Sequence, residues 1–403
     1  MSYLKTSLVL LSLIFLFLLG VSATLTHSAV REGFWAESRR LWPGEKIPSL
    51  SLQNTLTRKE RRYLGLRSWL FHFGEDETFS LDDIQADYIV LEFFNRYCVS
   101  CLAQAPVLGE LYQKISEDKS LSSRIKMLAV GVGNTHRETE RFRVEKNVPF
   151  PVIPDPEFEA YDALGNPGGT PYLLILRRSP EGVLLAKSYL GLIKNGDILL
   201  TELRKLISLD LASFQKIVQE ERQAEAVDAA RPSPIQFSWS EEEIKKKIQQ
   251  AILHGNSKPR LSFNKKSWPQ YQNVYIVDMI DSSSLAQKKR WFAKLYSRPP
   301  LCDVCHPIYF LLIFNQQGIV THFLPLHITK YENLLITAAD SQKLQGRIVG
   351  RDLKHNYQFR PEYDSISGAT MSVSLIFDSL NKAGELYRKL QQEGYILERG
   401  KPF

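Results

Sequence analysis

The sequence predicts an α/β chain in two folded parts: a mixed sheet sandwiched by helices over about residues 30–210, then a smaller α+β domain over about 236–403. Three observations carry this. Tyr88 to Phe94 is an apolar run too short for a buried helix and rich in aromatic and branched residues, so it reads as a buried central strand. That run leads into Cys98-Val99-Ser100-Cys101, where strand gives way to helix. Further on, Val373, Ile376, Phe377, Leu380, Ala383 and Leu390 recur at helical spacing, so a helix over Met371 to Leu390 buries one face.

Taken in order, residues 1–27 hold one early lysine, Lys5, an apolar run from Leu8 to about Val21, and a small-residue ending, Val21-Ser22-Ala23. This is the pattern of a signal peptide or an uncleaved membrane anchor; at about 15 apolar residues the run is short for a full span. Either version implies export, and disulfides persist outside the cytoplasm. PGEKIPSLSLQ and DETFSLDDIQADY lead to the central strand. A helix to about Ile115 follows, with Pro106 inside it as a source of a kink. The strand IKMLAVGVG, a charged helix near Thr135 to Lys146, the short strand FPVIPD and a helical turn at FEAYDALG come next. GGTPYLLILRR then pairs with Gly182 to Gly191 as a hairpin, and Ile198 to Ile207 closes as a helix. Residues 211–235 read as a charged helical linker, because Pro232-Ser233-Pro234 stops the helix and few bulky apolar residues anchor it.

Composition narrows the class. Lysine and arginine number 51 against 44 acidic residues, a net charge of +7, yet the basic residues are scattered, with clusters only at Lys245 to Lys247 and Lys288 to Arg290. A solvated helix face explains such clusters, so nucleic acid is not an expected partner. All 4 cysteines fall in two CxxC pairs, Cys98/Cys101 and Cys302/Cys305. That economy points to two local redox or cofactor sites and away from a disulfide framework.

The first pair has a chemical logic. At a helix N-terminus the macrodipole and free backbone N–H groups stabilise a thiolate, which makes Cys98 nucleophilic near neutral pH. Cys101, one turn on, is placed to resolve the mixed disulfide that Cys98 forms. Glu92, a carboxylate inside an apolar strand, has a raised pKa by desolvation and suits a proton acceptor for the second thiol. A zinc site normally takes four ligands, and no second pair lies nearby. On these residues the chain resembles the thioredoxin superfamily, in its membrane-tethered periplasmic branch of thiol-disulfide oxidoreductases and redoxins. The resemblance implies Cys98 as attacking thiol, Cys101 as resolving thiol and Glu92 in place of the family's buried acid. It also implies that Pro171, after Thr170 in GGTPYLLIL, is the cis-proline that faces the disulfide. Arg96-Tyr97 stands where many relatives have a tryptophan before the first cysteine.

The second domain is headed by DSISGATMS, Asp364 to Ser372. Ser367, Gly368 and Ala369 at the helix mouth let backbone N–H groups approach a phosphate. Spacing alone favours a plain helix cap, since serine and threonine are ordinary capping residues. D-x-x-S-G-A-T, however, resembles the flavinylation motif of the FMN-binding domain in subunits of Rnf and sodium-translocating NADH:quinone oxidoreductase complexes. The resemblance covers roughly Tyr275 to Leu390, with NQQGIVTHFLPLH as a hairpin, and lacks the glycine-rich loop of many members. It implies FMN joined through its phosphate to Thr370 by a flavin transferase, with Asp364, Ser367, Gly368 and Ala369 as the other motif positions.

The second pair, Cys302-x-x-Cys305-His306, leaves three readings open. The spacing suits c-type haem, with His322, His327 or Met371 as distal ligand; it equally suits a dithiol or disulfide, or a metal pair with His306. Resident metal is not expected. The combined expectation is an oxidoreductase on the periplasmic side of the inner membrane. It would pass electrons between a membrane donor, a flavin domain and the Cys98/Cys101 dithiol, acting on exported protein thiols or disulfides. The alternatives are an FMN and haem electron-transfer subunit, a copper-handling or assembly factor, and a scaffold without turnover.

Overall fold

The computed structural model describes residues 41–66, 77–227, 239–253, 260–280 and 289–396. The expected signal or anchor, 1–27, and the Pro232-Ser233-Pro234 break lie outside these residues. Among the described residues no helix is long and apolar enough to cross a membrane.

The chain opens with two short strands, β1 (Leu52–Gln53) and β2 (Thr78–Phe79), which pair antiparallel. The first large sheet is built from β3 (Tyr88–Phe94), β4 (Ile125–Val132), β5 (Val152–Asp155), β6 (Tyr172–Ser179) and β7 (Gly182–Leu190). Its strand order is β5-β4-β3-β6-β7. β3, β4 and β5 run parallel, whereas β6 and β7 pair antiparallel. Every residue of β3 is buried, as expected for a strand with helices on both faces. Alternation then splits its side chains: Ile89, Leu91 and Phe93 join one apolar cluster, Tyr88, Val90 and Phe94 the other. By the same period Glu92 points to the face that carries Cys98 and Cys101.

The second sheet is a five-stranded antiparallel meander of β8 (Arg260–Trp268), β9 (Tyr271–Ile280), β10 (Arg290–Arg298), β11 (Ile308–Asn315) and β12 (Val320–His327). β12 is an edge strand, which is where Pro325 is tolerated, because its missing N–H faces no neighbour. The expected β11/β12 hairpin is present, but β8, β9 and β10 carry too regular a mixture of charge and apolar residues to have been read individually from sequence.

The helix over Thr370–Gln392 departs from its expected single buried face. Val373 to Leu380 are all buried, including Asp378 and Ser379. Its apolar side chains join the cluster that contains Phe292, Phe310 and Phe314 of the second sheet. Its polar side chains reach the first part of the chain: Lys382 binds both Asp378 and Asp162, and Asn381 donates to Glu157 at 3.3 Å. A helical stretch buried all round, as at Val373 to Leu380, lies between layers. The expected charged helical linker is helical over Leu211–Val227 and is packed on the first part. Phe214 and Val218 are buried in the first part's core, and Arg177 lies 4.7 Å from the Phe214 ring centroid.

Arg298 of β10 is buried and held by Asp378 and, at 3.0 Å, by the Ser379 hydroxyl. Breaking a buried pair leaves an uncompensated charge. The Asp378→Ala variant should therefore lose about 3–5 kcal/mol of stability, read as a lowered denaturant midpoint, whereas removal of an exposed pair such as Lys114/Asp197 should leave the midpoint nearly unchanged.

Candidate functional site

Cys98 is the N-cap of the Val99–Glu117 helix, with φ −81° and ψ 118°, and its sulfur accepts from the Cys101 backbone N–H at 3.4 Å. The turn from β3 into this helix is fixed by asparagines. Asn95 Nδ2 donates to Val132 O at 2.7 Å, and Asn134 Oδ1 accepts from the Arg96 N–H at 2.8 Å. Tyr97, in the position where tryptophan was the family expectation, sends its hydroxyl to Glu138 at 2.7 Å. Both thiols are free and buried.

The two thiols differ electrostatically. The hydrogen bond from the Cys101 thiol pulls Cys98 below its ordinary pKa, and the Cys101 N–H assists, against the opposing effect of burial. Burial pushes Cys101 well up, and the charges of Cys98 and Glu92 push it further. Such a pair has one ready nucleophile and one that reacts only after losing its proton to a base. Glu92 is fully buried, and desolvation raises it to about 7 despite a hydrogen bond from Gln104 Nε2 at 3.0 Å. Gln104 also accepts the Ile193 N–H at 2.7 Å. The sequence reading missed Gln104, whose signal was an amide one turn after Cys101 on an otherwise apolar helix face.

Thr170-Pro171 is a cis peptide, on the loop that opens β6. Tyr161 braces that loop, accepting the Gly169 N–H at 2.9 Å. Thr170 O lies 3.3 Å from Cys98 Sγ, which donates to it. The same carbonyl accepts the Asp303 N–H at 3.1 Å, and the Thr170 N–H donates to Leu301 O at 3.0 Å. Residues 301 and 303 therefore pair with Thr170 as a strand would, and Cys302 sits between them. A Cβ on Gly169 would meet the backbone of Cys302 and Asp303 at 3.0 Å, so only glycine lets this segment so close.

Cys302 and Cys305 form a disulfide with Cα atoms 5.2 Å apart. In this state neither sulfur is free. Asn333 clamps the loop from the other side, accepting the His306 N–H and donating to Val304 O, each at 2.8 Å. The His306 and His327 rings stack with centroids 5.9 Å apart. Burial and the neighbouring His306 lower His327. Among the described residues no three His, Cys, Asp or Glu side chains gather as a metal site.

A cavity of about 310 Å³ joins these parts. Tyr97, Cys98, Cys302 and Cys305 line it together with Lys330, Tyr331, Gly368, Ala369, Thr370 and Met371. The structure thus gathers three of the five motif residues. Asp364 instead accepts the Arg360 N–H at 2.9 Å, and Ser367 is exposed. Gly368 has φ +76°, and its carbonyl accepts the Tyr331 N–H at 2.6 Å. Thr370 is the first residue of its helix, whose opening amides have no intrahelical acceptor. The Thr370 hydroxyl is half-buried with no partner among the described residues, whereas Ser372 Oγ donates to Thr329 O at 2.9 Å.

Residues 43–179 match the model of the AhpC/TSA family. This segment is similar to the redoxin domains of that family. No curated protein matches the chain. Solved structures similar to part of it include the thioredoxin domain of a thiol-disulfide oxidoreductase from Bacteroides vulgatus, at 15% identity, 40% of this chain, 97% of that one and TM-score 0.30. Another is a thiol:disulfide interchange protein from Bacteroides sp., at 15% identity, 42% and 93% coverage and TM-score 0.31. StoA from Bacillus subtilis follows at 18% identity, 30% and 86% coverage and TM-score 0.25.

Glu92 allows a pH test. Its pKa is raised on folding, so its contribution to stability is full below the unfolded value near 4.5 and is lost as pH rises through about 7. Glu92→Gln should match the unaltered protein at pH 4.5 and exceed it by on the order of 3 kcal/mol above pH 8, read from denaturant midpoints. Asp155, also raised to about 7 by burial, is present in both proteins and cancels in the difference.

Proposed function

We propose that the protein is an exported thiol-disulfide oxidoreductase in which the redoxin dithiol, Cys98/Cys101, works beside a flavin held by the second part of the chain. The observation that carries this reading is the cavity shared by Cys98, the second cysteine pair and the mouth of the Thr370–Gln392 helix. Cys98 attacks a disulfide sulfur as thiolate, and the leaving sulfur takes up a proton. Cys101, relieved of its proton by Glu92, then attacks Cys98 and releases the reduced product.

The residues at the helix mouth fit a phosphate-linked flavin. A 23-residue helix brings its first residues to the cavity, Gly368 and Ala369 put little side-chain bulk at its mouth, Lys330 lines the same cavity, and Thr370 offers an unpartnered hydroxyl. FMN attached at Thr370 would supply one- or two-electron chemistry from a membrane donor. Attachment would need a flavin transferase, and the periplasmic face of the membrane is the compartment this chemistry suits. The protein substrates would be exported thiols or disulfides.

Two measurements test the reading. In fully reduced protein at neutral pH, iodoacetamide should label Cys98 at least about tenfold faster than Cys101, since thiolate fraction governs the rate; equal labelling would remove the proposed asymmetry. For the flavin, the full chain co-expressed with a flavin transferase should stay fluorescent after denaturation and gain the mass of FMN less water. Thr370→Ala should lose both properties and Ser372→Ala should keep them. Flavin that leaves on denaturation would sink the covalent link.

A further inference from the structure

We propose that the Cys302–Cys305 disulfide is the intramolecular redox partner of Cys98/Cys101, docked on Thr170 as an extended peptide substrate would be. The inference rests on the reading of Cys98 as an attacking thiol and adds its immediate partner.

Burial sets the first constraint. Cys98 is 1% exposed and Cys302 5%, so no outside protein reaches either sulfur while the loop is seated. What does face Cys98 is the loop itself. Thr170 O receives both the Cys98 thiol and the Asp303 N–H, which brings the residue before Asp303 to the same carbonyl. The pairing is reinforced by Thr170 Oγ1, which donates to Leu301 O at 2.5 Å, and by Ser100 Oγ, 3.2 Å from Asp303 Oδ2. Two glycines clear the path: beside Gly169, a Cβ on Gly191 would meet Asp303 Oδ2 at 3.3 Å. The pairs also hold complementary states, two thiols in one and a disulfide in the other.

The exchange balances within one chain. The Cys98 thiolate attacks Cys302 Sγ, so the 98–302 bond forms, the 302–305 bond breaks, and Cys305 leaves as thiolate and takes up the proton Cys98 gave up. Cys101, deprotonated by Glu92, attacks Cys98 Sγ, and Cys302 departs as thiolate to receive that proton. Two electrons have moved from the first pair to the second, and the protons cancel. The reverse course is equally balanced, and the second pair lines one cavity with both Cys98 and Thr370.

The test uses the full chain as Cys101→Ser/Cys305→Ser, which leaves Cys98 and Cys302 as the sole cysteines. A docked pair reacts at a high effective concentration. Mild oxidation with glutathione disulfide should therefore join Cys98 to Cys302 in most chains, at a rate unchanged by tenfold dilution of the protein, with the cross-linked peptides seen by non-reducing mass mapping. Glutathionylated Cys98 without the internal cross-link would overturn the relay and leave Cys98 reactivity standing. A Cys98 inert to glutathione disulfide would overturn both. If the variant fails to fold, the unaltered chain decides. Partial oxidation of reduced protein and partial reduction of oxidised protein to one disulfide per chain, each followed by removal of glutathione, should converge on one distribution between the two pairs. Two distributions that stay different would overturn the proposal.

Discussion

The pairing of Thr170 with residues 301 and 303 is the contact on which the rest of the arrangement depends. Thr170 is fully buried, and a buried peptide group left without partners costs about 1–3 kcal/mol for each group. Leu301 O and the Asp303 N–H satisfy it. The partner segment lies in the β10–β11 connection of the other sheet, a distant stretch of sequence, so one local requirement ties the loop that opens β6 to the lead-in of β11. The apolar cluster that runs from Leu91 and Leu174 to Phe292 and Phe310 closes over the same junction, and it resists separation of the two sheets because apolar area would return to water.

Within that closed junction, desolvation does most of the electrostatic work. Glu92, Cys101 and Asp155 all hold their protons more tightly than in water because burial penalises the charged form. Cys98 escapes chiefly by accepting from the Cys101 thiol, helped by the Cys101 N–H at the helix N-cap. The contrast between two thiols three residues apart therefore comes from the deeper burial of Cys101 and from which of them accepts the hydrogen bond between them.

The Thr370–Gln392 helix links the site to the stability of the whole. Its first residues line the cavity, its middle packs on the second sheet, and Asp378 and Lys382 join Arg298 to Asp162. A rigid element with both duties couples the position of Thr370 to the packing of the two parts.

Much of this was legible in the residues themselves. Tyr88 to Phe94 could only be a buried strand, the CxxC after it marked a helix N-cap, and the spacing from Val373 to Leu390 gave a helix, because period and cap chemistry are local. Glu92 stood out as a charge in an apolar run. Gln104, Asn333 and Asp303 gave little local signal, since each acts on a group 12 to 203 residues away by geometry that spacing does not encode. The same holds for the second cysteine pair. Its sequence spacing suits haem, metal or dithiol alike, and only tertiary structure seats Cys302 against Thr170, because backbone pairing between distant segments depends on how two sheets pack and leaves no period in the chain.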